Sequence, residues 1–304
     1  MIGVRKAVIT AGGMGTRHFP ATLGVRKEFF PLVDRDGITK PVIQMVVEEA
    51  VESGIEEICI VTSPEEKESF RAYFAGPDER QAAAIASKGW ARAEAEKLRD
   101  LGRRLAFAEQ TAPLGYGHAV FCARHFVGDD PFLLLLGDHV YLSETKERCS
   151  AQLLRVFHSH GRTTTGVSRT PEEQLHLFGT VAGRPVDGEP GVYQVCRLRE
   201  KPGIEEARAG LATPGLPEGC FLTFFGQMAL QPTVMEALRY HIDHDLREGG
   251  EFQLTNALEL CRRKEPFLAA EIQGQRLDMG VPEELLRTQH TLALAGPYAS
   301  AVTG

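Results

Sequence analysis

Chemistry is first legible in the stretch Ala11-Gly12-Gly13-Met14-Gly15-Thr16-Arg17, followed by Pro20 and by Lys27-Glu28. Three glycines let the backbone turn sharply and approach a ligand closely, with amide groups free to face anionic oxygens. Arg17 and Lys27 add fixed positive charge close behind. The stretch reads as a cradle for a phosphorylated nucleotide. A second glycine turn, Leu114-Gly115-Tyr116-Gly117-His118, and an acidic one, Gly137-Asp138-His139, recur further along. His118 reads as a packing residue at a helix start rather than an acid or base.

The elements that must position these residues follow from periodicity. The apolar run from Ala7 to Ile9 reads as a buried strand feeding the first loop. Residues 27–33 read as strand-like, and Asp34-Arg35-Asp36-Gly37 as a turn. Thr39 is a plausible cap, with Lys40-Pro41 starting a helix. In that helix Val42, Met45, Val46, Ala50 and Val51 recur at helical spacing, and Gly54 ends it. Residues 57–62 read as a second strand, and a strand–helix–strand unit implies a parallel sheet. Residues 64–75 predict another helix, and 79–102 one long charged helix. Residues 105–110 and 132–136 read as further strands. Glycine turns and acids thus gather where parallel strands end, which is where open α/β sheets bind ligands. The second half alternates strands (163–167, 179–181, 192–198, 221–230) with helices (233–242, 252–264, 282–294). From Gly296 onward the chain reads as a frayed tail.

Composition limits the function classes. With 304 residues, 43% hydrophobic and 25% charged, the chain has room for one large α/β domain or two modest ones. A net charge of −7 gives no bulk attraction to nucleic acid, so local cations must hold any nucleotide. The six cysteines are scattered without a C-x-x-C pair, which points to reduced cytosolic thiols. The sequence shows no basic–apolar–small leader pattern and no apolar run near the roughly 20 residues of a membrane helix. A cytoplasmic location with no membrane or nucleic-acid partner is expected. Gly13-x-Gly15 lacks the third glycine of the dinucleotide fingerprint, since position 18 is His18, and the loop lacks the G-K-[ST] ending of a P-loop. Both absences argue against a dehydrogenase or a P-loop enzyme.

Gly12-Gly13-Met14-Gly15-Thr16-Arg17-x-x-Pro20-x-Thr22, then Lys27-Glu28-x-x-Pro31-Leu32-Val33-Asp34, resembles the signature of the sugar-1-phosphate nucleotidyltransferases. Further motifs agree in order: Gly115-x-Gly117-His118-Ala119, Gly137-Asp138, Phe178-Gly179-x-Val181, Glu200-Lys201-Pro202, Glu251-x-Gln253-Leu254-Thr255 and Asp278-x-Gly280. The likeness runs from about residue 3 to about residue 290 and is greatest to the bacterial UTP–glucose-1-phosphate uridylyltransferase branch. It implies a Rossmann-like, mixed and mainly parallel sheet flanked by helices, with a smaller sugar-binding β extension. It also implies a single domain over 1–295, with a nucleotide-binding half (1–145), a sugar-phosphate half (146–295) and a tail (296–304).

The implied reaction is Mg²⁺-dependent transfer of a uridylyl group from UTP to glucose-1-phosphate, with pyrophosphate leaving. By resemblance, Arg17 grips pyrophosphate, Lys27 holds the triphosphate, and Lys201 directs the sugar phosphate. Asp138 and Asp278 carry Mg²⁺, Glu200 accepts from sugar hydroxyls, and Gly179 leaves room for the sugar. Ala11, Gly12, Gly13, Gly15, Thr16, Glu28, Gln110 and Gly115 are expected to hold the nucleotide, with Glu28 and Gln110 reading the base. A homodimer or homotetramer is expected. Several residues depart from that branch. The loop reads Ala-Gly-Gly instead of Val-Ala-Gly, Leu114 replaces a lysine, and Gly137-Asp138-His139 replaces Pro-Asp-Val. Asn256 replaces an aspartate, and residues 35–39 look inserted. Thymidylyl or cytidylyl transfer to the same sugar, and a non-catalytic sugar-nucleotide sensor, remain the alternatives.

Overall fold

Strands in the computed structural model, which describes residues 3–303, begin with β1 (Lys6–Thr10), β2 (Pro31–Val33), β3 (Thr39–Pro41) and β4 (Glu57–Thr62). They continue with β5 (Leu105–Glu109), β6 (Phe132–Leu136), β7 (His139–Ser143), β8 (Thr164–Pro171) and β9 (Thr180–Pro185). The last are β10 (Val192–Arg199), β11 (Cys220–Leu230), β12 (Leu268–Glu271) and β13 (Gly274–Asp278). One sheet of nine strands runs in the order β5-β4-β1-β6-β11-β8-β12-β10-β9. β5, β4, β1 and β6 are parallel, as the strand–helix–strand reading requires. β11 then enters antiparallel between β6 and β8. The expected mixed α/β sheet flanked by helices is what the chain forms.

Both faces of the parallel strands are covered, which is why they are apolar at nearly every position. Ala7, Ile9, Ile58, Ile60, Leu133 and Leu135 belong to one buried cluster, shared with the helix Val42–Glu52. Val8, Cys59, Val61, Phe132 and Leu134 belong to a second cluster on the opposite face. A third, small cluster of Leu175, Ala182, Ala207, Leu211 and Phe221 supports the far end of β9 and β11, a smaller β extension of the main sheet.

Local readings needed correction in four places. Thr39 is not a helix cap: Thr39–Pro41 is β3, antiparallel to β2, and the helix starts at Val42. Lys40 precedes a proline, which disfavours helical backbone. Its ammonium is buried against Asp34 (2.9 Å), Asp36 (2.5 Å) and Glu48 (3.1 Å). Lys27–Phe29 is a 3-10 turn, so the strand begins only at Pro31. The long charged helix breaks into Glu79–Ile85, started by an Asp78–Gln81 capping box, and Gly89–Gly102. Trp90, in the second piece, is exposed. Finally, residues 296–303, though mostly exposed, are ordered, with Gly296 and Pro297 lying against the turn at residues 34–37. A Cβ on Gly37 would lie 2.9 Å from Pro297 Cγ, and Ala299–Ala301 forms a 3-10 turn. Among the described residues no helix is long and apolar enough to cross a membrane.

Candidate active site

At the carboxyl ends of β1 and β6 lies a cleft of about 630 Å³. Gly12, Gly13, Arg17, Lys27, Glu28, Gln110, Gly115, Asp138, Gly179, Glu200, Lys201 and Asp278 all line it. Three expected residues do not. Ala11 is buried beneath the loop, its N–H bonded to Val61 O at 2.7 Å. Gly15 supplies a left-handed turn (φ 63°) ahead of the 3-10 turn Thr16–His18, and that turn presents Arg17. Gly15 and Thr16 therefore shape the turn that carries Arg17 and do not line the cleft themselves.

The cleft is strongly charged. Lys27 Nζ lies 2.5 Å from Asp138 Oδ2. Burial of the ammonium opposes its charge, but the carboxylates of Asp138 and Glu28 outweigh it and raise the lysine's pKa. Burial likewise works against ionised Asp138, yet the hydrogen bond and charge of His139 and the charge of Lys27 hold it well below the usual carboxylate range. Arg17 reaches the far wall: a Cβ on Gly280 would lie 3.3 Å from its Nη2. The Gly280 N–H in turn donates to Asp278 Oδ1 at 2.6 Å. The Asp278-x-Gly280 spacing thus provides a fixed carboxylate and room for a guanidinium beside it.

Gln110 is oriented before any ligand arrives. Its Nε2 donates to Gly115 O at 3.2 Å and to His118 Nδ1 at 3.1 Å. Burial lowers the pKa of His118, aided by Arg124 and Arg247, so the ring is a neutral acceptor. His118 therefore positions the amide in addition to packing. The remaining Oε1 sits over the first loop, 3.2 Å from where a Gly12 Cβ would be. Glu28 is buried, its Oε2 without a hydrogen-bond partner, and burial raises its pKa to about 7 despite Lys27 and Arg26 nearby.

On the opposite side, Lys201 is exposed and holds a left-handed backbone (φ 40°). Glu200 Oε2 accepts from Thr255 Oγ1 at 2.6 Å, which ties the Glu200-Lys201 turn to the Gln253-Leu254-Thr255 segment. Gly179 is small for a packing reason first. A Cβ there would lie 2.5 Å from Phe224 Cδ2 and 3.1 Å from Glu200 Oε2.

Other lining residues have no role in the sequence reading, notably Arg276 and Phe224, while Tyr116 and Phe178 stand there only within motifs. β7 and β13 form an antiparallel ribbon in which Asp278 faces His139 and Arg276 faces Tyr141. The strand period of two puts Arg276 on the same face as Asp278, a signal available once β13 is recognised as a strand. Its guanidinium stacks 3.9 Å from the Phe178 ring centroid and donates to Phe224 O. Asp138, His139 and Asp278 each offer a donor atom within 4.8 Å of the others. Two carboxylates that also face phosphate-sized space are a donor set suited to a hard divalent cation.

The nucleotidyl transferase family pattern matches residues 6–293. The chain is 38% identical over 279 residues to the Bacillus subtilis UTP–glucose-1-phosphate uridylyltransferase YngB, covering 91% of this chain and 85% of the relative. It is 34% identical over 299 residues to a UTP–glucose-1-phosphate uridylyltransferase of Streptococcus pneumoniae, covering 97% and 92%. Among solved structures, a UDP-glucose pyrophosphorylase complexed with UDP-glucose superposes with a TM-score of 0.75 at 25% identity, over 96% of this chain and 98% of the other. A UTP-bound enzyme from Acinetobacter baumannii gives 0.76 at 26% identity, over 98% and 95%. With its cleft, its ordered motifs and these likenesses in agreement, the chain belongs to the nucleotidyl transferase family.

Proposed function

We propose that the protein transfers the uridylyl group of UTP to glucose-1-phosphate, forming UDP-glucose and pyrophosphate in the cytoplasm. One observation carries this reading: Arg17, Lys27 and Lys201 converge with Asp138 and Asp278 on a single cleft. Relatives named for that reaction align with nearly the whole chain. A sugar-phosphate oxygen attacks the α-phosphorus, and the bond from that phosphorus to the oxygen bridging to the β-phosphate breaks. The attacking oxygen is already anionic, so no general base is needed. The residues must instead bring two polyanions together and offset the charge that builds at phosphorus.

Lys27 exchanges its Asp138 partner for the triphosphate. Arg17, a planar guanidinium suited to phosphate oxygens, holds the departing pyrophosphate. Lys201 receives the sugar phosphate and aligns it, with Glu200 accepting from sugar hydroxyls. Mg²⁺ held by Asp138 and Asp278 would supply further charge neutralisation on the phosphates. Gln110 Oε1, its amide nitrogen already committed, accepts from an imide N–H. Uracil and thymine carry that N–H and cytosine does not, which favours UTP or TTP over CTP. Nucleotide contacts come from the half before residue 145 and sugar contacts from the half after it. Self-association as a dimer or tetramer is part of this reading, checked by light scattering.

Pyrophosphate release with glucose-1-phosphate, measured across UTP, TTP, CTP, ATP and GTP, tests the assignment. UTP should be preferred. A clear preference for TTP or CTP would overturn it, and tight UDP-glucose binding without turnover would make the protein a sensor.

A further inference from the structure

Arg26 has no role in the sequence reading, yet its guanidinium grips the first loop from behind the cleft. Nη2 donates to the Gly13 carbonyl at 2.8 Å. Nη1 lies 2.5 Å from Glu66 Oε1, at the start of the helix Lys67–Phe74, and Nε lies 3.7 Å from Glu28 Oε2. Nε and Glu28 Oε2 are both buried and have no hydrogen-bond partner among the described residues. Two carboxylates thus hold the guanidinium while one of its arms reaches a single peptide, Gly13–Met14. Gly13 and Met14 line the cleft, and Arg26 is not among the lining residues. That peptide is trans, so its carbonyl and its N–H point to opposite sides. A Gly13 carbonyl drawn back to Arg26 therefore turns the Met14 N–H away from the arginine and toward the cleft. Among the described residues that N–H has no backbone acceptor. A Cβ on Gly13 would lie 3.5 Å from Lys27 Nζ, so the peptide borders the cation assigned to the triphosphate.

We propose that Arg26 is a positioning residue for nucleotide binding: it fixes the Gly13–Met14 peptide so that the Met14 N–H donates to the incoming triphosphate. The inference rests on the nucleotidyl-transfer reading, which brings a triphosphate to Lys27. A peptide flanked by glycines turns readily, and its carbonyl would repel phosphate oxygens if it faced them. Arg26 removes that alternative before the nucleotide arrives, so binding need not order the peptide. Glu66 and Glu28 offset the arginine's own charge and keep it behind the loop. Arg26 touches neither substrate and acts only through the backbone it holds.

The test uses the full chain with its six methionines labelled with ¹⁵N, and Met14→Leu identifies the Met14 amide signal. On addition of UTP with Mg²⁺, the wild-type Met14 amide proton should move downfield, as a donor to an anionic oxygen does. In Arg26→Met that movement should be lost, and calorimetry should show UTP binding weakened about tenfold or more. The KM for UTP should rise in step, while the KM for glucose-1-phosphate changes far less. Arg26→Gln, too short to reach the Gly13 carbonyl, serves the same comparison should the methionine variant fail to fold. A wild-type Met14 amide unmoved by UTP, an equal response in wild type and variants, or an equal rise in both KM values would overturn the proposal. Assaying UDP-glucose formation on the same samples separates the two readings. Wild-type turnover with an unmoved Met14 amide removes the role of Arg26 and leaves uridylyl transfer standing. A Met14 response that depends on Arg26, without turnover of any nucleotide, keeps the positioning role and overturns the transfer reading.

Discussion

Lys201 holds a left-handed conformation (φ 40°) that costs a residue with a side chain about 1–3 kcal/mol. Strain of that size at a cleft is tolerated where the side chain has a task. Lys201→Ala should bind UTP normally yet lose about 100-fold or more in kcat, read by single-turnover kinetics with saturating glucose-1-phosphate. Near-normal turnover would refute its role. Glu28 gives a stability prediction with a definite sign. Its folded pKa of about 7 lies above the ordinary 4.5, so between those values the folded state holds the extra proton. Stability from this group is complete below about pH 4.5 and declines as pH rises to 7, by on the order of 3 kcal/mol. Glu28→Gln should flatten that decline in urea denaturation at pH 5 and pH 8; an unchanged slope would exclude Glu28 as its source. A neutral Glu28 at the lower pH also both donates and accepts, as a pyrimidine edge requires.

Interlocked elements explain one glycine and one buried cation. Gly115 is left-handed (φ 110°), and a Cβ there would lie 2.7 Å from Glu251 Cβ and 2.9 Å from Phe252 N. Backbone cannot yield as a side chain can, so Gly115→Ala should destabilise by about 2 kcal/mol or more. It should also raise the KM for UTP, because Gln110 Nε2 donates to the Gly115 carbonyl. The β2–β3 hairpin depends on Lys40, whose ammonium joins Asp34 and Asp36 to Glu48 of the adjoining helix. Lys40→Ala leaves Asp34 without its cation and Glu48 with only Lys97, 3.0 Å from its other oxygen, and should cost about 3 kcal/mol in chemical denaturation, with little change in KM at low temperature. A loss under 1 kcal/mol would show that water replaces the lysine there.

At the scale of the molecule, the sheet joins its two halves through one strand. β11 pairs with β6 on one side and with β8 on the other, and it also touches β9. Splitting the chain near residue 145 would therefore expose a sheet edge in the middle of the core. Calorimetry should show a single unfolding transition, and UTP at 100 times its Kd should stabilise that transition as a whole by about 2.7 kcal/mol. Two transitions, only one of them moved by UTP, would mean that the halves are separate domains.

Much of this was legible before any fold was known. Local chemistry and strict periodicity are properties of neighbouring residues. The glycine loop, the apolar parallel strands and the ordered Arg17, Lys27, Asp138, Lys201 and Asp278 motifs could therefore be read directly, and twelve of fifteen expected site residues do line the cleft. What escaped depends on partners far away in sequence. Gly179 is small because Phe224 lies against it. β13 was missed because five mixed residues carry little periodicity, and with it went the ribbon that sets Arg276 beside Asp278 and His139. The sequence by itself determined which groups are the candidates to handle phosphate. Only the tertiary structure decided which of their atoms remain free to do so, because hydrogen bonds and burial between distant segments commit some atoms and leave others open.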